Sequence, residues 1–248
     1  MEIIIPKQSQ IYRSLLKADF LAKWRNRRAG AVTVLLPIII LIAWKQVVKQ
    51  FGGPFALSMC ITFGVVAVGL MGYSNTTARD RERGVFQRLR VTPASTWNIM
   101  TSRLTVELAQ IAIMTVVAFA VGYYWDKIAL SPLAYLFTLV IALICGMVYL
   151  GLGQAVVGLI TSAETINSVS RFLYIAIILL GALGEFGVLG KVIGDIITWS
   201  PYGTVKEILN ASMQPHIWNG QAWLALLITL VYGSLFAWIG IKWFKWNT

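Results

Sequence analysis

The chain has 248 residues, of which 58% are hydrophobic and 12% charged, and its mean hydropathy is +0.73. Soluble domains carry about 25% charged residues, so this composition excludes a soluble globular protein and indicates an integral membrane protein. The formal net charge of +11 does not indicate nucleic-acid binding, because the basic residues are gathered in the segments between apolar runs.

Residues 8–28 carry apolar side chains at helical spacing, with most of the basic side chains elsewhere. This pattern predicts an amphipathic helix in the cytoplasmic membrane interface, within a cytoplasmic segment that covers residues 1–29. The alternative is a disordered basic tail. The first 29 residues lack the short apolar core of a secretory signal peptide, so none is expected. The apolar set is Ile11, Tyr12, Leu15, Leu16, Phe20 and Trp24.

Six segments are long and apolar enough to cross a bilayer, which takes about 20 mostly apolar residues in a helix. The first is interrupted by Lys45, whose side chain can reach the headgroups from near a helix end. Residues 30–248 are therefore predicted to form one all-α integral membrane domain of six transmembrane helices. The predicted spans are 30–48, 54–78, 97–124, 132–160, 169–189 and 222–244.

The distribution of Lys and Arg predicts the orientation of these spans. With the N-terminus inside, sixteen of the 21 Lys and Arg residues fall on the cytoplasmic side and five on the outer side. Because short cytoplasmic connections are enriched in Lys and Arg, both termini are predicted to be cytoplasmic.

The densest charged segment is the loop 79–95, between the second and third predicted spans. Five arginines and two carboxylates keep it out of the hydrocarbon. Val85, Phe86 and Leu89 add a short apolar face, which an inert positive loop does not need. We interpret the segment as a docking element with an apolar anchor and a charged rim; an inert cytoplasmic loop is the alternative. The rim consists of Glu82, Arg83, Arg88 and Arg90.

The long outer connection, residues 186–221, contains two apolar stretches at 188–199 and 204–213. Both are too short to span the bilayer, so they predict short re-entrant or interfacial helices before the last span. Pro201 and Gly203 separate them, since both residue types break helices.

The search for catalytic chemistry finds no recognisable constellation. The one histidine, His216, lies in the outer connection, and none of the common hydrolase or metalloprotease motifs is present. Cys60 and Cys145 lie in apolar spans and are interpreted as packing residues. We therefore predict no catalytic residue, no metal site and no cofactor bound by this chain.

Ionisable groups within the predicted spans are costly to bury and therefore suggest function. Glu107 is expected to pair with Arg103, one helical turn earlier. Glu185, near the outer end of the fifth span, is a candidate pathway or gate residue.

The arrangement resembles the type-2 ABC exporter permeases, the membrane subunits of bacterial drug, antibiotic and polysaccharide ABC exporters. Arg81-Glu82-Arg83-Gly84, followed by Leu89 and Thr92-Pro93, is similar to that family's E-R-x-G … L … T-P loop. Ser200-Pro201-Tyr202, followed by the run 206–209, resembles the outer proline-containing segment. Asn210 stands where the family often has an arginine.

The resemblance implies that the loop is a coupling helix, which docks into a groove on a separate ATP-binding cassette subunit. Moving a two-state equilibrium from mostly closed to mostly open takes roughly 5.5 kcal/mol, whereas an exposed ion pair supplies about 0–1 kcal/mol. The apolar face is therefore expected to carry much of the contact. The coupling residues would be Arg81, Glu82, Arg83, Gly84, Val85, Phe86, Arg88, Leu89, Thr92 and Pro93.

The resemblance also implies a dimer of permeases with two ATP-binding subunits, which would hold the ATP and Mg, in the lipids of a bacterial cytoplasmic membrane. A central pathway at the dimer interface would be lined by the second and fifth spans and carry a hydrophobic or amphipathic substrate. Pro201 and Tyr202 would form an outer gate. The candidate pathway residues are Phe63, Met71, Tyr73, Asn75, Tyr174, Leu180 and Glu185.

Two alternatives remain open at this point. A polytopic membrane enzyme acting on lipids would need clustered ionisable residues near one interface. A non-catalytic membrane scaffold would need no ATP-binding partner.

Overall fold

The computed structural model describes residues 7–25, 27–92 and 94–244, and its regular elements within these ranges are all helices. The prediction of an all-α chain is confirmed for them. In chain order the helices are α1 Gln8–Arg25, α2 Arg27–Ala43, α3 Lys45–Phe51, α4 Gly53–Glu82, α5 Val85–Arg90, α6 Thr96–Asp126, α7 Pro132–Leu159, α8 Ala163–Glu185, α9 Lys191–Trp199, α10 Pro201–Met213 and α11 Gly220–Lys242, with a 3₁₀ turn at Pro215–Ile217.

Within the described ranges, five helices are long and apolar enough to cross a membrane: α4, α6, α7, α8 and α11. A sixth span exists if α2 and α3, which are bent by 64° relative to each other, are taken together. The predicted first span, 30–48, is thus broken at Trp44, directly before the charged Lys45. The chain is a multi-pass membrane protein, whereas a count of six spans and the N-in/C-in orientation stay predictions.

Helix α8 begins at Ala163, six residues before the predicted start of the fifth span. The Ser162 hydroxyl accepts a hydrogen bond from the backbone N–H of Thr165 at 3.3 Å, which is a helix N-cap. The first turn of α8 is polar, so hydropathy alone places the start too late. The other long helices begin and end within about four residues of their predicted bounds.

The predicted N-terminal helix is present as α1, which packs along α6. Two hydrogen bonds join them: Asn98 Nδ2 donates to Gln8 Oε1 at 2.6 Å, and the hydroxyls of Tyr12 and Thr105 are 2.9 Å apart. The exposed apolar side chains of α1 include Phe20, whose ring stacks on the Trp24 ring. Its location in the membrane interface stays a prediction.

Two short helices precede the last span, as the sequence predicts. Helix α10 begins at Pro201 rather than at residue 204, because the Ser200 hydroxyl caps it by accepting from the Gly203 N–H at 3.3 Å. Most of α10 is buried against α4, α7 and α11, whereas α9 has no buried residue. Their re-entrant position in a membrane stays a prediction.

Helix α4 is the centre of the bundle, and α8 and α11 are peripheral. In their most apolar segments, 83% of the residues of α4 are buried, against 22% in α8 and 17% in α11. Helices α4 and α7 approach closely at Gly69 and Gly153. A Cβ atom on Gly153 would lie 2.3 Å from the Gly69 carbonyl oxygen, so only glycine permits this distance. The contact falls in the π-helical segment Ala67–Tyr73 of α4.

We expect Gly153→Leu to destabilise the protein by more than about 3 kcal/mol, because the new side chain must separate two backbones. Gly194→Leu is the matched control, since a Cβ at Gly194 meets nothing within 4 Å. The measurement is the temperature at which half of the detergent-solubilised protein leaves the monodisperse gel-filtration peak. Equal temperatures for the two variants would contradict the close approach of α4 and α7.

Candidate functional site

The loop between α4 and α6 is a compact helical corner. Helix α4 ends at Glu82, the chain turns at Gly84, and α5 follows with six residues. Gly84 has a φ of +67°, a left-handed conformation that costs other L-residues roughly 1–2 kcal/mol. The glycine predicted from the motif is therefore required by the turn itself. Pro93 and the Arg90 side chain, two of the predicted loop groups, lie outside the described part of the chain.

Arg81 is fastened to the end of α7. Its guanidinium donates hydrogen bonds to the carbonyl oxygens of Val157 at 2.8 Å, Ile160 at 2.7 Å and Thr161 at 2.7 Å. The side chain is 2% exposed. The last carbonyls of a helix lack intrahelical partners and carry partial negative charge, so a cation there is doubly favourable. Arg81 is thus an internal tie between the loop and α7.

The next residue ties the loop to α8. Glu82 Oε1 accepts a hydrogen bond from the backbone N–H of Ala163, the first residue of α8, at 2.9 Å. A carboxylate at a helix N-terminus also interacts favourably with the helix dipole. Arg81 and Glu82 therefore bracket the corner between α7 and α8, which we call the α7–α8 corner (residues 157–163).

Phe86 lies inside the protein, not on the exposed apolar face that the sequence predicted. The ring is fully buried, edge-on to Phe244 at 5.6 Å, with the Arg103 guanidinium 4.5 Å from its centre. Val85 and Leu89 are partly buried. The three apolar side chains of the loop thus hold α5 against the bundle, and Phe86 is not available as a surface anchor in this conformation.

Among the described residues of the segment 83–92, the exposed side chains are Arg83, Gln87, Arg88, Val91 and Thr92. Val91 is 88% exposed, which is unusual for an apolar side chain and was missed by the sequence analysis. Val91 follows the last turn of α5, where none of the described elements covers it, and this position was the signal in the sequence. We call these five residues the loop surface.

Ion pairs connect α1, α4 and α6 beneath the loop. Arg103 pairs with Asp80 at 2.8 Å, and Glu107 pairs with Lys23 of α1. The expected pairing of Glu107 with Arg103 within one helix is thus replaced by two pairs between helices. The packing of α1 along α6 brings Lys23 to Glu107, which the sequence of α6 alone does not reveal.

Asp19 on α1 belongs to the same region. Its carboxylate accepts a hydrogen bond from the Ser102 hydroxyl of α6, and burial raises its pKa above the usual range. The N-terminal helix is therefore held by polar contacts at several heights along α6.

The candidate outer gate residues lie in a packed aromatic cluster. Tyr202 is 3% exposed, and its ring lies 6.2 Å from the Phe63 ring and against Gly181 of α8. Pro201 starts α10 and is partly buried. Phe63 thus contacts the predicted gate rather than an open channel in the isolated protomer.

Glu185 forms an ion pair that sequence reasoning missed. Its carboxylate lies 2.7 Å from Lys206 Nζ, which in turn lies 4.4 Å from the centre of the Phe55 ring. Lys206 is 6% exposed, so the pair joins α8, α10 and α4 with little solvent screening. The sequence signal for this pair was Lys206, a charged residue in the otherwise mostly uncharged outer proline-containing segment.

The remaining pathway candidates do not meet in one cavity. Tyr73 is buried and donates to Gln154 Oε1 of α7 at 2.5 Å. Tyr174 is 7% exposed, whereas Leu180 is 50% exposed on the outer side of α8. Met71 and Asn75 are partly exposed, and the amide of Asn75 donates to the Met71 carbonyl.

Two comparisons with known proteins both point to ABC transporter permeases. The sequence model of the family described as ABC-2 type transporter matches residues 10–209. The chain is 27% identical over 194 residues to the "Probable multidrug ABC transporter permease YbhR" of Escherichia coli strain K12, and equally to the protein of that name from Escherichia coli O157:H7. The match covers 75% of this chain and 50% of each relative, so the chain spans about half the length of these curated relatives.

We expect Arg81→Met to destabilise the protein by at least about 3 kcal/mol, because hydrogen bonds to a charged group contribute about 1.5–3 kcal/mol each and buried carbonyls lose their donors. Arg79→Met, which changes an exposed arginine two residues earlier, should alter stability by less than about 0.5 kcal/mol. Chemical unfolding in mixed micelles measures both. A loss for Arg81→Met no larger than that for Arg79→Met would contradict the internal role of Arg81.

Proposed function

Because the chain belongs to the ABC-2 type transporter family, we propose that it is the membrane permease of an ATP-driven exporter in a bacterial cytoplasmic membrane. ATP hydrolysis would take place in a separate ATP-binding cassette subunit, which holds the ATP and Mg. This chain would provide the transmembrane pathway and the docking surface through which conformational changes of that subunit are transmitted.

The loop surface is the proposed docking site for the ATP-binding subunit. Arg83 and Arg88 supply positive charge, Gln87 supplies hydrogen bonding, and Val91 supplies an apolar contact, all of them exposed. Exposed charges at a rim steer association and fix register, and a central apolar side chain contributes affinity. This is the observation that carries the proposal: the loop is fixed to the bundle on one side and exposes charged and apolar side chains on the other.

The internal ties of the loop provide a route for mechanical coupling. Arg81 holds the C-terminal end of α7, Glu82 holds the first residue of α8, and Phe86 holds α5 against Phe244. A displacement of the loop by the ATP-binding subunit is therefore passed to the α7–α8 corner. Helix α8 is the helix whose orientation such a displacement would change.

The exposed face of α8 is the proposed dimer interface and pathway wall. Phe172, Ile175 and Leu179 lie on one face of α8, with exposures of 71%, 61% and 54%. Helix α4 is mostly buried in the protomer; of its predicted pathway residues, Met71 and Asn75 are partly exposed and would contribute to this wall. Two copies related by a twofold axis would bring these faces together.

The substrate that this surface favours is hydrophobic or amphipathic, such as a drug, a lipid or a glycolipid. The exposed face of α8 carries apolar side chains, and a small ion would need charged or carbonyl ligands along its path. At the outer end, Tyr202 and the ion pair of Glu185 with Lys206 would close the pathway until α8 moves.

We expect Arg88→Glu combined with Val91→Asp to abolish co-purification of the cognate ATP-binding subunit and transport-dependent ATP hydrolysis. Both changes lie on the exposed side, so the permease itself should remain folded. Lys191→Glu, an exposed charge reversal on the predicted outer side, is the matched control. Undiminished binding by the double variant would reject the docking proposal and favour a scaffold or a lipid enzyme.

We expect Ile175→Cys to form a covalent dimer with a short bismaleimide in membranes, because residues near a twofold axis meet their own copies. Leu227→Cys on α11 is similarly exposed and should stay monomeric. The native cysteines are buried, so background labelling is low. Gel electrophoresis reads the result, and equal dimer yields for the two variants would contradict a dimer interface on α8.

A further inference from the structure

We propose that a cleft between α6, α7 and α11 binds one acyl chain of an anionic phospholipid from the cytoplasmic leaflet, with the headgroup at Lys242. The cleft has a volume of about 580 Å³, and its lining includes Phe244, the residue that contacts Phe86 of the loop. The proposal does not rest on the transport function. The walls of the cleft are apolar, and they include Trp97, Met100, Leu104, Met147, Leu230 and Ile241.

The length of the cleft corresponds to one leaflet. On α6 it extends from Thr96 to Leu108, which is about 18 Å along a helix axis. The hydrocarbon core of a bilayer is about 30 Å thick, so one leaflet is about 15 Å. A single extended chain entering from the cytoplasmic end fills this length, whereas a compact drug would leave part of it empty.

The buried polar side chains that line the cleft, Tyr73 and Gln154, are hydrogen-bonded within the protein. The Tyr73 hydroxyl donates to Gln154 Oε1 at 2.5 Å, and Gln154 Nε2 donates to the Gly240 carbonyl at 3.4 Å. These groups pair with one another, so they present a closed surface. An apolar chain therefore fits the interior without loss of hydrogen bonds.

The mouth of the cleft is basic and aromatic. Ile241 lines the cleft, and the next residue, Lys242, holds its ammonium 4.6 Å from the Trp238 ring and 5.1 Å from the Trp243 ring. Trp97, also at this end, is 71% exposed. Tryptophan and lysine at a helix end mark the headgroup level. Lys242 forms no ion pair with the residues that the structure describes, so its charge complements a lipid phosphate.

The test uses the full chain reconstituted in vesicles of three parts phosphatidylcholine and one part phosphatidylglycerol. A trace of phosphatidylglycerol with a photoactivatable acyl chain is added, and labelled peptides are identified by mass spectrometry. A parallel sample contains phosphatidylcholine with the same acyl chain. We expect peptides with Met100 and Met147 to be labelled more than those with Phe172 of α8. One lysine near an anionic headgroup favours phosphatidylglycerol by about fivefold.

Two variants, each with a control, distinguish binding of the acyl chain in the cleft from binding of the headgroup at Lys242. Ser234→Trp fills the cleft and should abolish the excess labelling, whereas Leu235→Trp, on the same turn but outside the cleft, should not. Lys242→Gln should keep the acyl labelling and remove the preference for phosphatidylglycerol, with Lys191→Gln as control.

Three outcomes would overturn the proposal. The first is labelling spread evenly over the lipid-facing helices, and the second is labelling at full strength in Ser234→Trp. Lipid labels that are absent from the Met100 and Met147 peptides but present on the Phe172 peptide would mean that lipid does not reach the cleft. Neither the docking nor the dimerisation test depends on these results.

Discussion

The fold around the loop depends on one buried cation at the end of a helix. Removing a guanidinium from water costs several kcal/mol, and Arg81 recovers this through three hydrogen bonds to carbonyls at the end of α7. Those carbonyls in turn gain the donors that the end of a helix lacks. The cost of burial and the cost of an uncapped helix end therefore offset each other. Glu82 has the corresponding role at the start of α8, where its negative charge accepts a hydrogen bond from a backbone N–H that lacks an intrahelical partner.

This arrangement explains the composition of the loop better than orientation in the membrane does. A cytoplasmic loop needs basic residues of any kind and in any order to satisfy the distribution of charge. Here adjacent residues point to different partners: Arg81 to α7, Glu82 to α8, and Arg83 to solvent. Gly84 then turns the chain, and Phe86 packs against the bundle.

The sequence predicted the helical class, the long helices and the N-terminal helix, because these depend on local hydropathy and periodicity. It misplaced the start of α8, because the Ser162 cap precedes a polar turn. It also placed Phe86 on the surface, because an amphipathic face is equally suited to dock onto the chain's own bundle or onto another protein. The partners of Glu107 and Glu185 depend on which helices become neighbours, and a single sequence does not encode that in any local pattern.

The fixed position of α5 has a consequence for assembly kinetics. A six-residue helix has no stability of its own in water, since it is shorter than the length at which isolated helices form. Anchored by Phe86, it is already ordered before any partner arrives, so little conformational entropy remains to be lost on contact. In the proposed docking, the encounter with an ATP-binding subunit would therefore resemble rigid docking, with a rate governed by diffusion and by the salt-dependent attraction of the exposed arginines.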